Sequence, residues 1–183
     1  MCTVSVISMC DTDGVVAGVR LVSNRDEQRD RPDSLPAQRH ELRGGGWGIW
    51  PKDPLGGGTW IGGTSNGLAF SLLNVNNGAP RGTLSRGEII PSIAGAGNLN
   101  EAFGVARQLE LAAFSPFRLV GAQWVGGQLR TAELRWDGAG TDLTWHEAGP
   151  IAFVSSGLGD RAVEPRLGIF ERHLGRAATP ERQ

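Results

Sequence analysis

The chain has 183 residues and a formal net charge of −1, so it is long enough for one domain with its own hydrophobic core and presents no strongly basic face to nucleic acid. It contains no apolar run near the ~20 residues of a membrane-spanning helix, and no basic segment precedes an apolar one at its start, as in a signal peptide. We therefore expect a cytoplasmic protein with a single domain over residues 1–176 and a frayed tail over residues 177–183.

The first 25 residues predict a β-hairpin. Segments rich in β-branched and apolar residues, 3–8 and 15–22, flank an Asp-Thr-Asp-Gly turn sequence. Residues directly opposed in an antiparallel pair lie roughly 4.5–5.5 Å apart. Closing the hairpin at that turn therefore places Cys2 beside Ser23 and Asn24.

The two cysteines fall on the same predicted strand. Eight steps of ~3.3 Å place Cys2 and Cys10 roughly 26 Å apart, which is too far for a disulfide. Two reduced thiols are therefore expected, as in a reducing compartment.

The middle of the chain predicts a surface loop followed by strands. Residues 28–46 are rich in Arg, Asp and Pro, as in an exposed loop. Glycine and tryptophan punctuate residues 44–62, which predicts short strands joined by tight turns. The apolar run at residues 67–74 predicts a strand that is covered on both faces.

The second half predicts helices and then hairpins. Apolar residues at helical spacing predict helices over residues 85–95 and 98–114, with Asn98 or Asn100 as the N-cap of the second. Four strands and a last helix follow, at residues 117–122, 129–136, 143–146, 151–155 and 164–174. This order of elements predicts an α+β layered sandwich.

Tryptophan and histidine spacing indicates little specific chemistry. The tryptophans near the middle of the chain either line an apolar pocket or pack in the core, and core packing is the favoured interpretation for Trp47, Trp50 and Trp60. The histidines show no zinc-ligand spacing, so no metal site is predicted at His40, His146 and His173.

The densest chemistry of the chain lies where the two ends of the first hairpin meet. A thiol, Cys2, falls next to the run Asn24-Arg25-Asp26-Glu27. Two plainer interpretations remain open, since Cys2 is also compatible with an ordinary strand cysteine and the charged run with a structural ion-pair cluster.

The run Asn24-Arg25-Asp26-Glu27, after an opening Met-Cys-Thr, resembles the signature of the NRDE family, which includes the transport and Golgi organisation protein 2 homologues. Further segments resemble that family in order along the whole chain: Gly57-Gly58-Thr59-Trp60-Ile61-Gly62, Asn66-Gly67-Leu68-Ala69, Ser85-Arg86-Gly87, Pro116-Phe117-Arg118-Leu119 and Ser156-Gly157-Leu158. The family is distantly similar to N-terminal nucleophile hydrolases of the choloylglycine hydrolase type. That similarity implies an αββα sandwich, in which the C-terminal third of typical family members has no counterpart here.

The resemblance also implies catalytic roles. In those hydrolases the initiator methionine is removed, and the new N-terminal cysteine uses its own α-amine, with an ordinary pKa near 7.7–8.0, as the base. By resemblance Cys2 is the nucleophile, Asp26 holds the amine and Asn74 donates to the oxyanion. Two positions depart from the hydrolase pattern, because Ser23 replaces an arginine and Ser156 replaces a second asparagine.

Three functional hypotheses follow from the resemblance. NRDE proteins are associated with haem mobilisation and acyl-lipid handling, which implies binding and trafficking of haem or an acyl-CoA-like hydrophobic anion. The ligand-binding residues would be Asn24, Arg25, Asp26, Glu27 and Trp60. The alternative is a cysteine amidohydrolase that cleaves linear amides through an acyl-enzyme at Cys2, and the third hypothesis is a degenerate scaffold that acts through protein partners. No cofactor is required, haem being a carried ligand, and the sequence indicates no particular protein partner.

Overall fold

A computed structural model describes residues 2–13, 15–27, 29–147, 149–157 and 165–174. In these ranges the fold is α+β and mostly antiparallel, as the sequence predicts. The strands are β1 (Cys2–Cys10), β2 (Val16–Arg25), β3 (Leu35–Glu41), β4 (Trp47–Lys52), β5 (Ile61–Thr64), β6 (Leu68–Asn74), β7 (Phe117–Val125), β8 (Gln128–Trp136), β9 (Thr141–His146) and β10 (Ile151–Ser155). The α-helices are α1 (Ile89–Ile93), α2 (Leu99–Gln108) and α3 (Pro165–Leu174), with 3₁₀ turns at Arg86–Glu88 and Leu111–Ala113.

The first hairpin forms as predicted, but its register differs from the expectation. Cys2 lies opposite Arg25 rather than beside Ser23 and Asn24, and a bulge between Met9 and Cys10 accounts for one residue of this shift. The thiol of Cys2 is free, and the side chain of Cys10 lies outside the described part of the chain.

A seven-stranded antiparallel sheet, in the order β3–β4–β5–β6–β7–β8–β9, forms the larger layer. The prediction of a loop over residues 28–46 is wrong for its second half, because Leu35–Glu41 pairs with β4 as an edge strand. Six of its seven residues are exposed, so it lacks the alternation of polar and apolar residues by which sequence patterns reveal strands. The apolar strand predicted at residues 67–74 is confirmed as β6.

Helices α1 and α2 pack on one face of the large sheet. Their buried side chains include Ile90, Leu99 and Phe103, which join Phe70 and Phe117 of the sheet in one hydrophobic cluster. The predicted helix over residues 98–114 is too long: it ends at Gln108, and a separate 3₁₀ turn at Leu111–Ala113 follows.

The N-cap of α2 is Asn98, whose side chain accepts a hydrogen bond from the Glu101 amide at 3.0 Å. Asn98→Ala leaves that amide without its partner and is expected to lower the free energy of unfolding by about 1 kcal/mol. Urea unfolding checks this, with Asn100→Ala as the control because Asn100 lies within the first turn and does not act as the cap. Equal loss in the two variants would contradict the assignment.

The smaller layer is a three-stranded antiparallel sheet in the order β10–β1–β2. It packs against the other face of the large sheet through a second hydrophobic cluster, to which Val4 and Val6 of β1, Leu73 and Val120 of the large sheet and Phe153 of β10 contribute. The two sheets therefore form a face-to-face sandwich in which the ends of β1 and β2 lie against the large sheet.

The last strands and helix agree with the sequence analysis. Strands β7 to β10 occupy the predicted segments, and α3 begins at Pro165, one residue after the predicted start, and contacts β10. The predicted tail at residues 177–183 lies outside the described residues. Within the described ranges no helix is long and apolar enough to cross a membrane.

The predicted core packing holds for only one of the three tryptophans. Trp50 is a core residue, 8% exposed, and stacks on His40 with ring centroids 4.3 Å apart. Trp47 is not a core residue: it is 36% exposed and lies beneath the guanidinium of Arg39. Trp60 is half-buried in a cleft.

Candidate functional site

A cleft of about 380 Å³ opens where the ends of three strands meet; we call it the main cleft. β1 begins there with Cys2, β2 ends there with Arg25, and β6 ends there with Asn74. The Ser155 hydroxyl, on β10, donates a hydrogen bond to the Asn74 carbonyl oxygen. This bond ties the small sheet to the large one beside the cleft.

Most residues predicted for the site line this cleft, namely Cys2, Arg25, Asp26, Glu27, Trp60 and Asn74. Cys2 is half-buried, whereas Asp26 and Asn74 are exposed. Asn24 does not line the cleft, because it alternates along β2 with Ser23 and Arg25, which do. The geometry thus collects these residues in one place, and the catalytic roles of Cys2, Asp26 and Asn74 stay a prediction.

Arg25 forms one wall of the cleft. Its guanidinium lies over the Trp60 ring, 4.7 Å from the ring centroid. The same guanidinium pairs with Glu27 and lies 3.6 Å from the Asp53 carboxylate. Two carboxylates therefore compensate the charge of Arg25, and the Trp60 ring covers one face of its guanidinium. The wall presents an aromatic ring next to charged side chains.

Asp53 lies beside this wall and anchors the loop that follows β4. Its Oδ1 accepts the amides of Leu55 and Gly56 at 2.9 and 3.1 Å, and its Oδ2 pairs with Arg31. Burial alone raises the pKa of Asp53, but the Gly56 amide, Arg31 and the Leu55 amide outweigh it and hold the pKa below its ordinary value. The same bond to Asp53 raises the pKa of Arg31.

This depressed pKa predicts a pH dependence of stability. A carboxyl whose pKa is lower in the folded than in the unfolded chain stabilises the fold above its unfolded value, and that contribution is lost as pH falls through the folded value. Asp53→Asn is therefore expected to lower the free energy of unfolding by about 1–2 kcal/mol at pH 7, and the difference from wild type should shrink below about pH 4. Urea unfolding between pH 7 and pH 3 measures this.

The control for this prediction is Asp142→Asn, because Asp142 is an exposed carboxylate that, within the described part of the chain, accepts a hydrogen bond from the Thr144 hydroxyl alone. A surface change of that kind is expected to stay within about 0.5 kcal/mol at every pH. A difference between Asp53→Asn and wild type that is constant from pH 7 to pH 3 would show that the charge of Asp53 contributes nothing.

A close crossing of two backbones forms another part of the cleft lining. Gly58 is buried, and a Cβ added to it would lie 2.3 Å from the Gly87 carbonyl carbon. The Thr59 amide donates to the Gly87 oxygen at 2.9 Å, which fixes the crossing. Next to Gly87, the half-buried Arg86 lines the cleft and donates through Nη1 to the Pro116 carbonyl oxygen at 2.8 Å.

A second cleft, of about 360 Å³, adjoins the first. Both are lined by Arg25, Glu27, Arg31, Asp53 and Trp60, so these side chains form a shared partition. The second cleft adds residues from the segment after β2, among them Arg29.

Sequence reasoning missed three charged residues of the site: Arg31, Asp53 and Arg86. Arg86 stands in a segment noted only for its resemblance, and Asp53 precedes a proline in a glycine-rich stretch, which is the signal of a turn. Arg31 lies in the segment interpreted as a surface loop. No local pattern shows that these three converge, because the sheet order brings them together.

The histidines contact aromatic rings and one carboxylate. His40 stacks on Trp50, and His146 lies against Phe153 with its Nε2 3.7 Å from Glu133. The side chain of His173 is outside the described residues, and in the described ranges no group of three or more His, Cys, Asp or Glu is arranged to hold a metal ion.

Comparison with protein families identifies the chain. The model of the family described as transport and Golgi organisation 2 matches residues 2–156, which includes every residue that lines the main cleft. The chain belongs to the transport and Golgi organisation 2 family. The comparison with curated proteins finds no match.

The match extends over strands β1 to β10 and helices α1 and α2. The family match therefore confirms the resemblance that the sequence segments indicate. Of the elements above, only α3, which begins at Pro165, lies beyond the matched range.

Proposed function

We propose that the protein binds a small hydrophobic anion in the main cleft and carries it, haem or an acyl-CoA-like molecule being the candidates that family membership suggests. The observation that carries the proposal is the Arg25–Trp60 pair, in which a guanidinium lies 4.7 Å from the centroid of an aromatic ring at the wall of the cleft. Such a pair offers an apolar face and a hydrogen-bond donor side by side.

The dimensions of the site and the apolar patch around Trp60 support this proposal, within a lining that is otherwise mostly polar. A cleft of about 380 Å³ is within the range of ~300–1,000 Å³ common for small-molecule sites. Leu72 and Leu84 add apolar surface beside Trp60, and the adjoining second cleft gives space for a ligand longer than one cleft.

As part of the same proposal, the fold is an αββα sandwich of the N-terminal nucleophile hydrolase type, and the order of the layers supports this. Helices α1 and α2 cover the large sheet, and α3 contacts β10 of the small sheet. Ile7 and Val154 point away from the large sheet by strand alternation and are nevertheless 4% exposed. Their burial supports a covering layer on the outer face of the small sheet.

Titration of the wild-type protein with haemin and with palmitoyl-CoA tests the binding proposal. Arg25→Ala removes the cation at the wall. It is expected to raise the dissociation constant of whichever ligand binds by about tenfold or more, since a hydrogen bond to a charged group contributes about 1.5–3 kcal/mol. Calorimetry or equilibrium dialysis gives the dissociation constants.

The chain offers a matched control in Arg39→Ala. Arg39 also lies over a tryptophan, Trp47, and also pairs with a glutamate two residues further on, Glu41, but it lies outside both clefts. The control is expected to bind like wild type. Equal weakening by the two substitutions, or by neither, would remove the main cleft as the binding site.

A further inference from the structure

The main cleft is lined by three arginines and three carboxylates, whose charges pair unevenly within the described residues: Arg25, Arg31, Arg86, Asp26, Glu27 and Asp53. Arg25 and Arg31 are both paired with Glu27 and Asp53. Arg86 lines the same cleft and forms no ion pair with a carboxylate of the described residues. A cation without a counter-charge therefore faces the space in which a ligand would lie.

Burial makes this lack of compensation costly. Arg86 is half-buried, and its pKa lies below the ordinary value because burial disfavours the charge and the guanidiniums of Arg25 and Arg81 repel it. Its side-chain hydrogen bond to the Pro116 carbonyl oxygen uses Nη1, and within the described residues the other donors of the guanidinium stay available. A planar fork of this kind matches a carboxylate or phosphate bidentately.

We propose that Arg86 is an anion-binding residue of the main cleft and takes the carboxylate or phosphate of the bound molecule. The inference rests on the proposed function for the nature of the whole ligand, but the anion subsite itself follows from the charges of the cleft. In it the anionic group lies at the wall formed by residues 85–87, and the apolar part of the ligand extends toward Trp60.

Cys2 lines the same cleft and reports on its potential without any assumption about the ligand. Iodoacetate and iodoacetamide both alkylate the thiolate, so the ratio of the iodoacetate rate to the iodoacetamide rate does not depend on the thiolate fraction. Only iodoacetate is an anion, so this ratio rises where the local potential is positive. We expect this ratio at Cys2, read by peptide mass spectrometry, to exceed that of N-acetylcysteine by about threefold at low salt. At 1 M salt, where the screening length is about 3 Å, the excess should fall.

Arg86→Gln is expected to bring the ratio close to that of N-acetylcysteine. Arg86→Lys, which keeps the charge but loses the fork that reaches Pro116, should retain most of the excess. Loss in both variants assigns Arg86 a structural role and overturns the proposal, and so does an unchanged ratio in Arg86→Gln. Arg130→Gln is the control, since Arg130 lies over Trp145 and outside the cleft.

Two pairs of ligands identify the source of the anion. Haemin is compared with its dimethyl ester, which lacks the free carboxylates, and 4′-phosphopantetheine with pantetheine, which lacks the phosphate. In the pair that binds, Arg86→Gln should lower the affinity for the anionic member by about tenfold and leave the affinity for the uncharged member unchanged. If neither haemin nor palmitoyl-CoA binds but the alkylation ratio depends on Arg86, the proposed function fails and the subsite stands. If haemin binds wild type and Arg86→Gln equally and the ratio is unchanged, the subsite fails and the function stands.

Discussion

Gly58→Ala is expected to lower the free energy of unfolding by about 3 kcal/mol or more and to abolish ligand binding in the main cleft. A Cβ at this position would lie 2.3 Å from the carbonyl carbon, 2.5 Å from the oxygen and 2.6 Å from the Cα of Gly87. All three atoms belong to the backbone, so no side-chain rotation relieves the overlap. The two segments must separate, and the bond from the Thr59 amide to the Gly87 oxygen is lost with them.

Urea unfolding and ligand titration of the same variant measure both effects. Gly104→Ala is the matched control, because Gly104 lies within α2 and its added Cβ would meet no atom within 4 Å. That substitution is expected to raise the free energy of unfolding by up to about 1 kcal/mol, from the higher helix propensity of alanine. A Gly58→Ala protein as stable as wild type would mean that the backbone crossing contributes little to the wall of the cleft.

The fold was predictable where local patterns and hydrophobic burial agree. The first hairpin, β6 and the four strands after α2 each combine apolar residues with a recognisable turn, so their positions follow from the sequence. The strand β3 has no such pattern, because it is an edge strand whose side chains are almost all exposed. The register of the first hairpin depended on a bulge at Met9 and Cys10, which no turn rule indicates.

The candidate site was predictable only in its N-terminal half. Hairpin closure brings Cys2 to Arg25, and resemblance added Trp60 and Asn74, which lie in the same cleft. The partners that fix the charges of the cleft come from distant segments, Asp53 before β5 and Arg86 before α1. Their convergence depends on the order of strands in the large sheet and on the backbone crossing at Gly58, neither of which is encoded in a short motif.

A second group of charges lies between the two sheets and gives the other large expected effect. Arg118 of β7 and Glu133 of β8 are 16% and 15% exposed, with Nε and Oε1 2.7 Å apart. Arg118 also donates to the Val154 carbonyl oxygen at 3.3 Å and lies over the Phe153 ring, so this ion pair joins the large sheet to β10. His146 lies beside the same carboxylate.

Glu133→Gln is expected to lower the free energy of unfolding by about 3 kcal/mol, because it removes the carboxylate charge that lies 2.7 Å from the largely buried Arg118 guanidinium. For a chain of this length the midpoint of thermal unfolding should fall by about 6–12 °C. Glu41→Gln is the control: it breaks a pair with Arg39 whose side chains are 80% and 62% exposed, and should change stability by less than about 1 kcal/mol.

The double variant Arg118→Met with Glu133→Leu separates the net contribution of the pair from the cost of an isolated charge. Replacing both partners with apolar side chains removes the desolvated charges together, and such replacements are often neutral or stabilising. We therefore expect the double variant to be more stable than Glu133→Gln, with thermal unfolding near that of wild type. If the double variant is as unstable as Glu133→Gln, then the bond from Arg118 to the Val154 carbonyl holds β10 in place, and the ion pair serves mainly to position that guanidinium. Because β10 carries Ser155 beside the main cleft, that outcome would also couple the ion pair to the shape of the binding site.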